Sequence, residues 1–126
     1  LLDTSVVIDY PSIDIELLPI ESSIAALTFA ELTAGPLATS DPLERAERLE
    51  RLQQSQAFEA IPFDVAAAQA YGRIYAAAMR ANQKPRGARA VDLLIAATAL
   101  SRGLPLYTRN PADFSGVTTL MEIVAV

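Results

Sequence analysis

Short apolar runs alternate with capped helical segments along this chain, and that alternation narrows the available folds more than any other feature. Leu1–Asp3 reads as the end of a buried strand, followed by a helical turn over Val6–Tyr10 that Pro11 stops. Ser22–Leu27 is a second strand, after which Thr28 stands where a cap would open a helix through "FAELTAG", ended by Gly35-Pro36. Asp41 as N-cap and Pro42 at the first helical position open "DPLERAERLERLQQ". Within it, Glu44/Arg48 and Glu47/Arg51 are i,i+4 pairs expected on a solvated face. "AIPF" is a short strand, and Asp64 caps an Ala-rich helix from Val65 to about Asn82. The loop "QKPRG" leads to the helix "ARAVDLLIAATALSRG", which Gly103 closes. "LPLYT" is a strand, "NPADF" a turn or short helix, and "LMEIVAV" a last strand. Such alternation predicts an α/β protein: a parallel sheet of about five strands between two helical layers, a Rossmann-like three-layer α/β/α sandwich. No linker divides residues 1–126, so one domain is expected, with ligands beyond the carboxyl ends of the strands.

The missing residue types limit the chemistry. There is no Cys and no His. Zinc sites built on those residues, Ser-His-Asp triads, Cys-His nucleophiles and imidazole bases are therefore excluded. What is left is carboxylate, hydroxyl, amide, Lys or Arg chemistry, or a metal held by oxygen. A net charge of −5 speaks against a generic nucleic-acid binder. Between Asp64 and Asp92, however, no acid occurs, while Arg73, Arg80, Lys84, Arg86 and Arg89 account for half of the 10 basic residues. The longest apolar run, "LLIAATAL", is far short of the ~20 residues that span a bilayer. No basic and then apolar leader opens the chain, so a cytoplasmic protein without membrane contact is expected. The chain starts without Met inside a strand-like run, as if a few residues preceded it.

Asp3 stands among Leu1, Leu2, Val6, Val7 and Ile8, where a lone buried carboxylate would be costly. It either caps the following helical turn or ends its strand at something positive. Glu31 falls one turn into the helix after the second strand, and Asp113 soon after "LPLYT". Asp92 lies early in the most apolar helix and could join them if that helix starts at the same edge. Each acid alone has an ordinary surface or turn explanation; together they would form one rim. Two like charges ~4 Å apart cost about 4 kcal/mol at an effective dielectric of ~20, so such a rim either holds protons or recruits a cation. Oxygen donors alone suit a hard ion, Mg²⁺ or Mn²⁺, which can activate water and stabilise charge on a phosphoryl oxygen.

The blocks "LLDTSVVID", "TFAEL", "AVDLLIAATAL" and "LYTRNPADF" together resemble the PIN-domain ribonucleases, and among them the VapC-type toxins of bacterial toxin–antitoxin pairs. The likeness runs from residue 1 to about 124, in order and at matching spacing. It implies that Asp3, Glu31 and Asp92 hold Mg²⁺ or Mn²⁺, with Asp113 as the fourth acid. The family often has an acid where Asn110 stands, which puts a second tightly held metal in doubt. Thr4, Ser5 and Thr108 match positions expected to hydrogen-bond the carboxylates or the substrate. The resemblance further implies an endoribonuclease, a homodimer and a VapB-type antitoxin that plugs the site. Arg80, Lys84, Arg86 and Arg89 would then follow an RNA backbone, unless they only solubilise their helix and loop. Among rivals, a phosphoacceptor receiver domain wants a Lys after its last strand, but the only Lys is Lys84. A haloacid-dehalogenase-like phosphatase wants an acid where Ser5 stands. A catalytically inactive PIN fold that binds RNA or protein is the alternative that keeps the architecture.

Overall fold

A computed structural model describes all 126 residues. Its elements run α1 (Thr4–Asp9), β1 (Ser23–Ala25), α2 (Ala26–Ala34), α3 (Pro42–Ser55), β2 (Glu59–Ile61), α4 (Val65–Arg80), α5 (Ala88–Ser101), β3 (Leu106–Thr108) and β4 (Ile123–Ala125), with short 3-10 turns between. Three aspartates begin helices as sequence chemistry requires: Asp3 accepts from Val6 N, Asp41 from Leu43 N and Asp64 from Ala67 N. Gly103, at φ 64°, takes the left-handed position after α5. Asp3 is thus a cap, one of the two roles open to it. Thr28 is not. α2 starts three residues earlier, at Ala26 behind Ala25, and Thr28 is buried inside it.

All strand pairing is parallel. β1 pairs with β2 (Ile24 opposite Ala60) and β3 with β4 (Tyr107 opposite Val124). Between these two-stranded sheets runs the segment before α1, which is bridged to both at a single residue, Leu2, opposite Ile24 and Tyr107. Leu2 N donates to Ser23 O at 2.8 Å, Tyr107 N to Leu1 O at 2.9 Å and Asp3 N to Tyr107 O at 3.0 Å. The strands are about half the length expected from the apolar runs. Pro62 and Pro105, flanking β2 and β3, have no N–H to donate to a ladder. β1 runs directly into α2.

Neighbouring residues of a strand face opposite ways, and the two cores reflect this. Leu1, Ala25, Ile61 and Leu106 pack with Ile74, Ala77, Leu93 and Ala96 of α4 and α5. Leu2 and Ile24 pack with Val6, Val7 and Leu32 of α1 and α2, with Leu52 of α3 at the margin. Leu2, Ile24, Ile74, Leu93 and Leu106 are fully buried, each worth roughly 2–3 kcal/mol of hydrophobic stabilisation. Helices therefore cover both sides of the strands. The carboxyl ends of the Leu2 segment, β1 and β3 lie side by side, and α1, α2 and the Pro111–Val117 turn follow them in the chain.

Candidate active site

The acids collect at that edge. Asp3 leaves the central segment directly into α1 and is only 5% exposed, yet both of its carboxylate oxygens are hydrogen-bonded. Oδ1 accepts from Ser5 Oγ at 2.6 Å and from Val6 N at 3.1 Å, and Oδ2 accepts from Thr108 Oγ1 at 2.6 Å. Both hydroxyls are held in turn by amides: Arg109 N donates to Ser5 Oγ and Asn110 N to Thr108 Oγ1. Thr108 is itself buried at the end of β3. Glu31, one turn into α2, accepts a hydrogen bond from Thr4 Oγ1, which also lies 3.2 Å from Thr28 Oγ1. Asp3 and Glu31 are thereby oriented by residues of the same Asp-Thr-Ser stretch.

Asp92 stands in the second turn of α5, and its carboxyl is pushed up to about 6 from an ordinary 3.8. Burial is the largest cause. The charges of Asp3, Glu31 and Asp113 follow, and only Arg89 opposes them. The N-terminal end of α5 thus carries Asp92 into the field of the other three acids. Asp113, in the Pro111–Val117 turn, faces Arg89 Nη2 at 3.6 Å. Asn110 offers its amide to Thr108 but is exposed, with no side-chain cap on the turn it begins.

None of Asp3, Glu31 and Asp92 forms an ion pair. An oxygen-only donor set carrying surplus negative charge suits a hard divalent cation. The carboxylates are not, however, gathered around one point: no three of them stand close enough to hold a single ion as they are. The reason is local, because Asp3 and Glu31 are committed to hydroxyls and Asp113 to Arg89. An ion would have to draw these side chains inward.

The basic residues divide. Arg89 belongs to the site, and its Nε is buried without a hydrogen-bond partner. Arg80, Lys84 and Arg86 are exposed. Lys84 and Arg86 lie in the loop between α4 and α5, which Gln83 ties to the Asp113 turn. Its side-chain amide donates to Ser115 Oγ at 2.6 Å and to Ala112 O at 3.2 Å, and its carbonyl accepts from Gly116 N at 3.0 Å. A Cβ on Gly116 would come within 2.6 Å of Gln83 Oε1 and 2.9 Å of Ala81 Cβ, so a larger residue there would displace Gln83 or the turn itself. Gln83 and Thr28 were not foreseeable as site supports, since an isolated amide or hydroxyl carries no spacing signal. Arg51 was read as one half of a surface pair with Glu47. Glu44–Arg48 does form, but Arg51 makes no ion pair and lines a cleft with Thr4 and Glu31.

The family model for the PIN domain matches residues 1–118. The chain belongs to the PIN-domain family. This PIN domain is 35% identical over 130 residues to ribonuclease VapC5 of Mycobacterium tuberculosis, covering 99% of this chain and 93% of that protein. A crystal structure of VapBC-5 from the same organism, a member of the VapBC family of toxin–antitoxin systems, superposes with a TM-score of 0.86. It is 35% identical, and the match covers 99% of this chain and 96% of the other. FitAcB from Neisseria gonorrhoeae matches at 27% identity and a TM-score of 0.71, covering 97% and 94% of the two chains. No helix of the PIN domain is long and apolar enough to cross a membrane.

Proposed function

We propose that this PIN domain is a divalent-metal-dependent endoribonuclease, the toxin of a VapBC-type toxin–antitoxin pair. One observation carries the chemistry. Four carboxylates from distant parts of the chain meet at one edge, where burial first and then the charges of Asp3, Glu31 and Asp113 raise Asp92. Likeness to a protein named ribonuclease VapC5 over nearly the whole chain supplies the reaction. We read residues 1–126 as a single domain. We also read the Leu2 segment as the middle strand of one five-stranded Rossmann-like sheet in a three-layer sandwich, in sequence order 3-2-1-4-5.

Asp3, Glu31, Asp92 and Asp113 would hold Mg²⁺ or Mn²⁺. A bound ion of this kind supplies a nucleophilic water near neutral pH and offsets negative charge developing on phosphoryl oxygens. Ser5 and Thr108 hold the two oxygens of Asp3 and Thr4 holds Glu31, so these hydroxyls set the positions from which the carboxylates would be drawn towards an ion. Arg89, which faces Asp113, would be left to meet a phosphate if Asp113 helped to hold the ion. Lys84 and Arg86 extend that positive edge along the strand of RNA, with Arg80 beyond them. With no His in the chain, no imidazole pair can drive attack by a 2′-hydroxyl.

A VapB-type antitoxin is the expected inhibitor, because an Arg-bearing peptide would satisfy carboxylates that have no cation of their own. A second copy of this chain is the other expected partner, and the cytoplasm the expected compartment. The test is RNA cleavage by the purified chain in Mn²⁺, Mg²⁺ or EDTA. Cleavage that is equal in EDTA, or intact in Asp92→Asn, would refute the assignment. Metal binding without cleavage would leave only the inactive binding module.

A further inference from the structure

We propose that the cleft between α1, α2 and α3 is a subsite for one nucleotide beside the scissile bond of the RNA, with Arg51 receiving its phosphate. The proposal depends on the ribonuclease reading above and adds the course of the substrate across the site.

The cleft measures about 310 Å³, at the lower end of the ~300–1,000 Å³ usual for small-ligand sites and so suited to a single nucleotide. It opens from the catalytic edge itself, since Thr4 and Glu31 form part of its wall. Ile8 and Leu32 supply an apolar side, and Ile8 remains 37% exposed although it lies next to the core. Arg48 and Arg51 supply a cationic side, but the two are not equivalent. Arg48 is committed, to Glu44 and to Gly35 O at 2.8 Å. Arg51 makes no ion pair, although Glu47 stands one helical turn before it, and it is only half-exposed. Arg51 also lines the neighbouring hollow with Asp9, Glu47 and Glu50, but it is ion-paired to none of them, and a guanidinium so placed at the border of the cleft offers a planar fork suited to a phosphate.

The charge layout gives the direction. A polyanion passing over Glu31 and Asp92 is repelled unless cations hold it on both sides. Arg89 of α5 stands against Asp113 on one side of the sheet, and Arg51 of α3, which forms no ion pair, lines the cleft beside Glu31 on the other. RNA is favoured over an inhibitory peptide at this end of the cleft, because the group there without an ion pair is the Arg51 guanidinium, which a phosphate would meet and a peptide Arg would not.

The test uses a single-stranded RNA oligonucleotide and four proteins: the unaltered chain, Arg51→Gln, Arg51→Lys and, as a control outside the cleft, Arg45→Gln. Arg45 donates to Thr39 O on the exposed part of α3. In Mn²⁺, Arg51→Gln should raise KM roughly tenfold and leave kcat within about twofold. The same substitution in an Asp92→Asn background, which leaves the RNA uncut, should weaken binding by a similar factor. It should also lower the slope of log affinity against log salt by about 0.7, the value for one phosphate on a single strand. Arg51→Lys should keep the slope and recover part of the affinity, Arg45→Gln should match the unaltered chain, and calorimetric Mn²⁺ binding should be the same in all four. Unchanged KM and salt slope in Arg51→Gln, with cleavage intact, would overturn the subsite, leave the ribonuclease assignment standing and assign the cleft to a protein partner. No cleavage by the unaltered chain would remove both.

Discussion

Replacing Asp92 by Asn should make the metal-free protein more stable and at the same time inactive. Asp92 ionises near pH 6 in the fold against 3.8 ordinarily, first because it is buried and then because the charges of Asp3, Glu31 and Asp113 act on it. That difference corresponds to roughly 3 kcal/mol for a fully buried group. Asp92 is only half-buried, so solvent screening reduces the figure to about 1–1.5 kcal/mol. The folded-state value is the higher one, so the stabilising contribution is complete below about pH 3.8 and disappears as pH rises through about 6. At pH 8 in EDTA the native protein carries the whole penalty and Asp92→Asn carries none. For a domain of this size, the variant should melt about 3–6 °C higher. At pH 4 the two should melt together. Mn²⁺ should raise the melting temperature of the native protein and have little effect on the variant. Cleavage by the variant should fall by at least about 100-fold. Calorimetric scans at both pH values, with and without Mn²⁺, check all of this. A variant less stable than the native protein at pH 8, or a gap independent of pH, would mean that Asp92 is not in the field of the other acids.

Thr108→Val keeps the shape of β3 but leaves Asp3 Oδ2 without its donor; urea unfolding should show a loss of about 1–3 kcal/mol, and the cleavage rate should drop about 10–100-fold. Gly116→Ala forces a Cβ against Gln83 Oε1 and Ala81, so the Asp113 turn must shift; a loss of about 1–3 kcal/mol and weaker Mn²⁺ binding by calorimetry are expected. Ile74→Ala, in the core away from the acids, should cost about 2–5 kcal/mol in denaturant unfolding and leave the cleavage rate at 25 °C unchanged in the folded fraction.

Local signals show how much of this was open to the chain itself. Asp41-Pro42, Asp64 and Gly103 mark helix ends by chemistry confined to three or four residues, and each is found doing so. The parallel arrangement follows from strands and helices taking turns, because a parallel neighbour needs a crossover. Asp3, Glu31, Asp92 and Asp113 could be picked out because an acid in or beside an apolar run is unusual, and four in the right blocks carry a family resemblance.

Tertiary structure decided the rest. Thr108 reaches Asp3 across 105 residues, and no periodicity indicates which hydroxyl a carboxylate will find. Spacing alone would have paired Glu47 with Arg51, as it does Glu44 with Arg48, but α3 lies beside α1 and α2 and gives Arg51 a cleft to face. The acids were pictured as a ready chelate; each instead took the nearest donor, and they share a field more than a centre. Capping and alternation act between near neighbours and are legible in one dimension, whereas the choice of partner for a charge depends on which distant surfaces the packed sheet brings together.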